Sequence, residues 1–295
     1  MVIRQMRVED VPSAQALMAD TWSNLLKQQT GLDMSYPVRQ ATWYTSRLRH
    51  EPLGCICVEE NGKLIATGFA LSCGNVGWIG PMEVSPDHQG KGYGSQLLVS
   101  LETYLSTRGC KAVGLETMKD ISRNLDFYSQ AGYAVEQDVL FLEKDCLDGQ
   151  DAGHPEKGKA DVKRIRRIAS TINPGFDPSS EFKIYEEMGI GRTLAAEGAA
   201  ALLLTDPIPG SGKAYLRTVL TEGYHRIDEA IGLVQKAERE ALCSGAKAMF
   251  TIVPAQSELL TYLIRGGYKP KGADVRMIKG KFARSHECSI FSWSG

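Results

Sequence analysis

Between residues 84 and 98 the chain reads Val84-Ser-Pro-Asp-His-Gln89-Gly90-Lys91-Gly92-Tyr93-Gly94-Ser95-Gln-Leu-Leu98. An apolar strand pattern precedes this glycine-rich stretch and a helical pattern follows it. Such a loop gathers backbone N–H groups at a helix start, where the dipole favours an anion, and glycine lets the main chain approach it closely. Lys91 adds a positive charge, and His88 is a further candidate phosphate contact. The dinucleotide fingerprint needs G-x-G-x-x-G, and this is G-x-G-x-G; a P-loop needs a lysine followed by Ser or Thr. A second glycine cluster, Gly210-Ser-Gly212-Lys213-Ala214, fails because Ala follows the lysine and Pro207 stands where the first glycine belongs. The loop is a phosphate cradle of another kind.

The elements around it alternate. Val2 to Arg7 reads as a strand, Val11 to Trp22 and Tyr36 to His50 as helices. Cys55–Glu59 and Lys63–Leu71 form a hairpin across Asn61-Gly62, a strong short-range hairpin signal. Trp78–Val84 is a strand and Ser95–Arg108 a helix closed by Gly109. Ala112–Met118 is a strand, Arg123–Gln130 a helix, and Tyr133–Glu143 one or two strands. This is a mixed α/β domain.

Composition breaks once, at Asp148-Gly-Gln-Asp-Ala-Gly-His-Pro-Glu-Lys-Gly-Lys159, which has no apolar periodicity. The expected organisation is a first domain over 1–147, a linker over 148–160 and a second domain over 161–295. A shift of 135 residues lays Glu116–Tyr133 over Thr251–Tyr268 without a gap and matches Gly132-Tyr133 to Gly267-Tyr268. The second domain reads as a duplicate of the first.

The 295 residues suit about two domains. With 34 basic and 35 acidic side chains the chain has no basic excess for nucleic acid. Its longest apolar run, Ala199 to Leu204, is far short of the ~20 residues that span a bilayer. Charges stand where a signal peptide would be apolar. Neither the seven cysteines nor the five histidines show metal-site spacing, so no metal is expected, and reduced thiols point to the cytoplasm.

Gln89-Gly90-Lys91-Gly92-Tyr93-Gly94 resembles the Q/R-x-x-G-x-G/A signature of the GNAT acetyltransferase superfamily. The Val-x-Pro before it and Tyr128-Ser-Gln-Ala-Gly-Tyr133 are similar to that family's other motifs, and the resemblance covers about residues 1–145. It implies an acyl-CoA N-acyltransferase fold, in two tandem copies given the repeat. It also implies acetyl-CoA as co-substrate, with the pyrophosphate on Gln89, Gly90, Lys91, Gly92, Tyr93, Gly94 and Ser95. Pantetheine would run beside Met82 and Val84, Asn124 would bond the coenzyme or cap its own helix, and Tyr128 would give a proton to the departing sulfur.

The base is open. Trp78, Ile79 and Gly80 occupy the positions where many members carry Glu or His. Glu116 resembles the Leu-Glu strand acid of ribosomal-protein N-terminal acetyltransferases; Glu83 and a water relay are the alternatives. The activity implied is acetyl transfer to a primary amine of a small molecule or peptide. The competing reading is an acyl-CoA sensor without turnover. Thr21–His50 should line the acceptor side, its Trp22, Tyr36, Trp43 and Tyr44 suiting an apolar or aromatic acceptor. The second copy lacks the loop glycines, with His225, Ile227 and Glu229 instead, and Thr251 and Leu263 replace Glu116 and Tyr128. It should bind no coenzyme and should cover the acceptor side or form a homodimer contact.

Overall fold

The computed structural model describes residues 1–145, 161–208, 210–282 and 290–291; the expected linker at 148–160 lies outside them. The chain forms two compact units, Met1–Ser72 with Gly77–Val113, and Cys73–Val76 with Gly114–Trp293.

The first unit is built from β1 (Val2–Gln5), α1 (Val11–Thr30), α2 (Ala41–His50), β2 (Cys55–Glu60), β3 (Lys63–Cys73), β4 (Val76–Val84) and α3 (Tyr93–Thr107). Its strands lie in the order β1-β2-β3-β4. The β2–β3 turn places Asn61 and Gly62 at φ 51° and 76°, the left-handed pair that a two-residue hairpin needs. Alternation along β3 assigns its faces. Phe69 meets α2, its ring 4.9 Å from Trp43. Its neighbour Gly68 faces α3, where an added Cβ would stand 2.8 Å from Leu101. Leu97, Leu101 and Leu105 form the buried stripe of α3.

Two helix boundaries differ from the sequence expectation. α1 runs past Trp22 to Thr30 and stops at Gly31, whose φ of 73° closes it. The helix expected over Tyr36–His50 begins at Ala41, because Pro37 lacks the N–H and restricts the residue before it.

The second unit holds β5 (Ala112–Met118), α4 (Ser122–Gln130), β6 (Ala134–Asp145), α5 (Val162–Ile172), α6 (Ser179–Glu187), β7 (Gly191–Ala195), β8 (Ala199–Leu204), β9 (Lys213–Thr221), α7 (Ile227–Cys243), β10 (Ala248–Pro254), α8 (Leu259–Arg265), β11 (Lys269–Gly280) and β12 (Ile290–Phe291). The strand order is β5-β11-β6-β10-β9-β8-β7, with β12 beside β9.

The element order from α1 through β2 to β6 recurs from α5 to β11: two helices, three strands, then helix, strand, helix, strand. Even the cap repeats. Tyr133 N–H donates to the Tyr128 carbonyl at 3.0 Å, and Tyr268 N–H to the Leu263 carbonyl at 3.0 Å. Gly132 and Gly267 have φ 90° and 92°. The fold is a mixed α/β motif in two tandem copies.

The copies exchange their last strands. β6 and β11 pair antiparallel with Val139 opposite Asp274, its own counterpart in the repeat. Lys269 pairs with Glu143, and Ile278 with Ala134, so positions 135 residues apart trade places about a local two-fold axis at 139/274. β11 thereby neighbours β5 of the first copy, and β6 neighbours β10 of the second.

Candidate active site

The glycine loop has the cradle geometry. A short helical turn at Pro86–His88 is followed by Gly90 and Gly92 at φ 75° and 85°, conformations that strain any residue with a Cβ. The first α3 bond that reaches four residues back runs from Gln96 N–H to the Gly92 carbonyl at 3.2 Å. The N–H groups of Tyr93, Gly94 and Ser95 therefore precede the helical ladder, as an anion site requires. An added Cβ at Gly90 would meet nothing within 4 Å, so the space over the loop is open. These features fit a coenzyme pyrophosphate.

The loop is braced by its own side chains. Gln89 Nε2 donates to the Val84 carbonyl at 3.0 Å, tying the strand end to the turn. Tyr93 Oη donates to Glu60 at 2.6 Å, and His88 Nε2 stands 3.5 Å from the same carboxylate. Gln89, His88 and Tyr93 thus shape the loop, whereas Lys91 and Ser95 remain exposed on it. Met82 and Val84 are half-buried at the end of β4.

Between them Glu83 is buried and faces α1 and α2. It accepts from Arg39 at 3.1 Å, from Thr67 at 3.0 Å and from the Trp22 indole at 3.4 Å. Burial works against the Arg39 charge, and Glu83 together with Tyr44 outweighs it, holding the guanidinium above its usual range. Arg39 also lies 4.7 Å from the Trp43 ring centre, and Trp22 stacks on Tyr36 at 5.3 Å. Of the four expected acceptor-side aromatics, Trp43 and Tyr44 pack into the core, whereas Tyr36 is 39% exposed.

In the second unit, Glu116 of β5 is clamped by Arg276 of β11. Nε and Nη2 donate to one carboxylate oxygen at 3.1 and 2.7 Å, and the two side chains are 1% and 2% exposed. Asn124 caps nothing; its Nδ2 donates to Thr117 at 3.3 Å. Tyr128 is half-buried on α4, 4.9 Å from Phe127 and 6.0 Å from Tyr133 between ring centres. Arg39, Thr67 and Arg276 were not found by motif reading. Each meets its carboxylate only through pairing of distant segments, the last across 160 residues.

The second copy's equivalent helix start is filled by its own groups. Asp228 and Glu229 occupy the first turn of α7. Glu229 accepts from Gly198 N–H at 2.8 Å and from Arg226 at 2.5 Å. Although burial opposes it, those two bonds hold the Glu229 carboxyl below its usual value. Among the described residues no group of three or more His, Cys, Asp or Glu could hold a metal, and no helix is long and apolar enough to cross a membrane.

Residues 17–133 match the family described as acetyltransferase (GNAT). A Yersinia pestis acetyltransferase is 27% identical over 105 residues, 36% of this chain and 74% of its own. A Pyrococcus horikoshii protein assigned as an acetyltransferase superposes at a TM-score of 0.74 with 16% identity, over 99% of this chain and 94% of its own. A tandem GNAT protein from the clavulanic acid biosynthesis pathway gives 0.54 with 13% identity, over 95% and 98%. Residues 17–133 thus resemble the GNAT acetyltransferase family, and the whole chain has the GNAT fold in two tandem copies.

Proposed function

We propose that the first copy transfers the acetyl group of acetyl-CoA to a primary amine of a small molecule or peptide. The observation that carries this reading is the glycine loop, with its positive-φ Gly90 and Gly92 and the N–H groups of the first α3 turn. Acetyl-CoA, when bound, would supply a thioester carbonyl open to attack. Gly90 to Ser95 take its pyrophosphate, Lys91 adds charge, and Met82 and Val84 flank the pantetheine; the resemblance of their motif supports this assignment. Asn124 orders the start of α4 through Thr117, and Tyr128 on that helix gives a proton to the departing sulfur. Glu83, Trp22 and Tyr36 form the acceptor side, which suits an amine on an aromatic or apolar body. The buried reduced thiols of Cys55 and Cys57 support a cytoplasmic setting.

One observation favours the competing reading, an acyl-CoA sensor. Glu83 and Glu116 are each engaged by a guanidinium, and a carboxylate that takes a proton gives up such a pair. Thiol release from acetyl-CoA separates the two readings, using polyamines, aminoglycosides, amino acids, arylalkylamines and peptide N-termini. The expected result is release with at least one amine. Tyr128→Phe should lower that turnover ~10²-fold or more while leaving coenzyme affinity unchanged. No release from any amine, with coenzyme still bound, would establish the sensor.

A further inference from the structure

The Glu83 cluster lies wholly within the first unit and starts one residue from the glycine loop. Glu83 precedes Val84, whose carbonyl accepts from Gln89 of that loop at 3.0 Å. The Glu83 side chain is 1% exposed, and its partner Arg39 is the more open of the two at 14%. A molecule arriving from solvent meets the guanidinium before the carboxylate. A simple cationic amine therefore meets a like charge first, which is unfavourable at close range.

The ion pair is only partly engaged. Arg39 gives Glu83 one N–H, from Nη1 to Oε1 at 3.1 Å, where a guanidinium fork can give two. Thr67 and the Trp22 indole donate to the same carboxylate, so it keeps neutral partners when the guanidinium turns away. Arg39 stands in the irregular segment before α2, with its carbonyl held by Gln15 Nε2 at 2.7 Å. The backbone is anchored there, and no helix confines the side chain. The Trp43 ring lies 4.7 Å from the guanidinium carbon, and its buried indole N–H has no acceptor among the described residues. Leu32, Met34, Tyr36 and Val38, exposed at alternate positions of the same segment, lead up to Arg39 with apolar surface.

We propose that the acceptor is a free α-amino acid with an apolar or aromatic side chain, its carboxylate taken by Arg39 and its ammonium by Glu83. This deepens the acetyltransferase reading and rests on it. The zwitterion inserts into the ion pair. Its carboxylate draws off the guanidinium with both edges of the fork, and Glu83, released, receives the ammonium. Guanidinium and carboxylate touch in the pair, so the two charges of the ligand must also stand close together. In an α-amino acid one carbon separates them. A polyamine brings no anion, and a peptide N-terminus carries an amide where the carboxylate would be.

The test uses the full chain and three ligands with one aromatic body: L-phenylalanine, L-phenylalaninamide and phenethylamine. The amide has the least basic amine, so basicity alone would make it the fastest acceptor. Thiol release from acetyl-CoA should instead favour L-phenylalanine over both others by about 10- to 100-fold in kcat/KM, the worth of a charge-assisted pair. Arg39→Gln should erase that preference by slowing the amino acid alone. Arg39→Lys should recover part of it, since lysine keeps the charge without the fork. Equal use of either analogue by the wild type, or an equal loss with all three ligands in Arg39→Gln, would overturn the proposal while the acetyltransferase reading stands. Acetylation of other amines but none of these three would do the same. Calorimetry on the chain saturated with coenzyme A reads the preference without turnover. L-phenylalanine should bind about 10-fold or more tightly than its amide, and no binding of L-phenylalanine would overturn the assignment. Thiol release from no amine at all defeats the acetyltransferase reading, and the calorimetric result then decides by itself whether the site recognises amino acids.

Discussion

The two copies end the same strand–loop–helix unit differently at α3 and α7. In the first, Gly90 and Gly92 take left-handed conformations and leave the first-turn N–H groups and the space above them open. In the second, Glu229 answers the dipole of α7 itself, fixed by Gly198 and Arg226. A helix start can be satisfied by its own side chain or by a ligand, and one turn cannot serve both. The buried ion pairs diverge in a related way. Strand β4 carries the acid, Glu83, against Arg39 ahead of α2, whereas β9 carries the base, Arg217, 2.7 Å from Glu181 on α6. The second copy has kept the architecture and reversed or lost the chemistry. Its strand β11 lies beside β5 of the first copy.

The largest effect should follow from breaking this asymmetry at the loop. Gly92→Glu puts a Cβ and a negative charge where phosphate would lie, at a φ of 85° that disfavours any side chain. Calorimetry should then show coenzyme A binding lost, with circular dichroism and thermal unfolding close to wild type. The unaltered chain should bind one equivalent. Two equivalents, or full affinity in folded Gly92→Glu, would show that the second copy's helix start is not closed.

A smaller effect tests the two sides of the local axis. Glu116→Gln leaves Arg276 buried without its charge partner, and such a loss costs about 3–5 kcal/mol. Thr251, the counterpart of Glu116, donates one hydrogen bond to the Leu216 carbonyl at 2.8 Å, and Thr251→Val should cost only about 1 kcal/mol. Urea unfolding compares them directly. Equal costs would mean that the Glu116–Arg276 pair is no special feature of the first copy's side. The double change Glu116→Leu with Arg276→Met should restore most of the stability.

Much of this was legible in order along the chain. Asn61-Gly62, Gly109, the glycine loop and the paired Gly-Tyr ends each specify a local backbone conformation, and each forms as local rules require. The strand face of Glu83 could not be read, since Met82 and Val84 on either side are both apolar and give no alternation. Strand exchange was illegible for a different reason. β6 and β11 have the same length and follow the same kind of Gly-Tyr helix end, so no local signal says whether each closes its own copy or the other's. Arg276 and Asp274 acquire meaning only once β11 lies beside β5. Arg39 was hidden by the expectation that α2 began at Tyr36. Its place in the irregular segment before α2 lets its side chain fold back onto Glu83.

The smallest expected effect is a pH dependence of stability confined to one side of the axis. The Asp274 carboxyl is pushed from an ordinary value of 3.8 to about 6 by burial and by the nearby charges of Glu116 and Asp120. Its folded-state value therefore lies above its unfolded one, and the native state holds a proton that the unfolded chain releases. By linkage, Asp274 causes no loss of stability below about pH 4, where both states are protonated. Between about pH 4 and 6 the unfolded chain ionises first, so stability falls as pH rises, and the loss is complete above the folded-state value. The group keeps some solvent contact, which screens the effect to about 1–2 kcal/mol. Urea titrations of wild type and Asp274→Asn across this range should give a difference that grows from near zero at pH 4 to its full size by pH 7, with the variant the more stable at neutral pH. Val139→Asp, which places an acid at the opposite side of the 139/274 pair, should add a second pH-dependent loss. A wild-type difference that is flat with pH would mean that Asp274 ionises as a surface aspartate, and the two sides of the axis would then differ in sequence without differing in electrostatics.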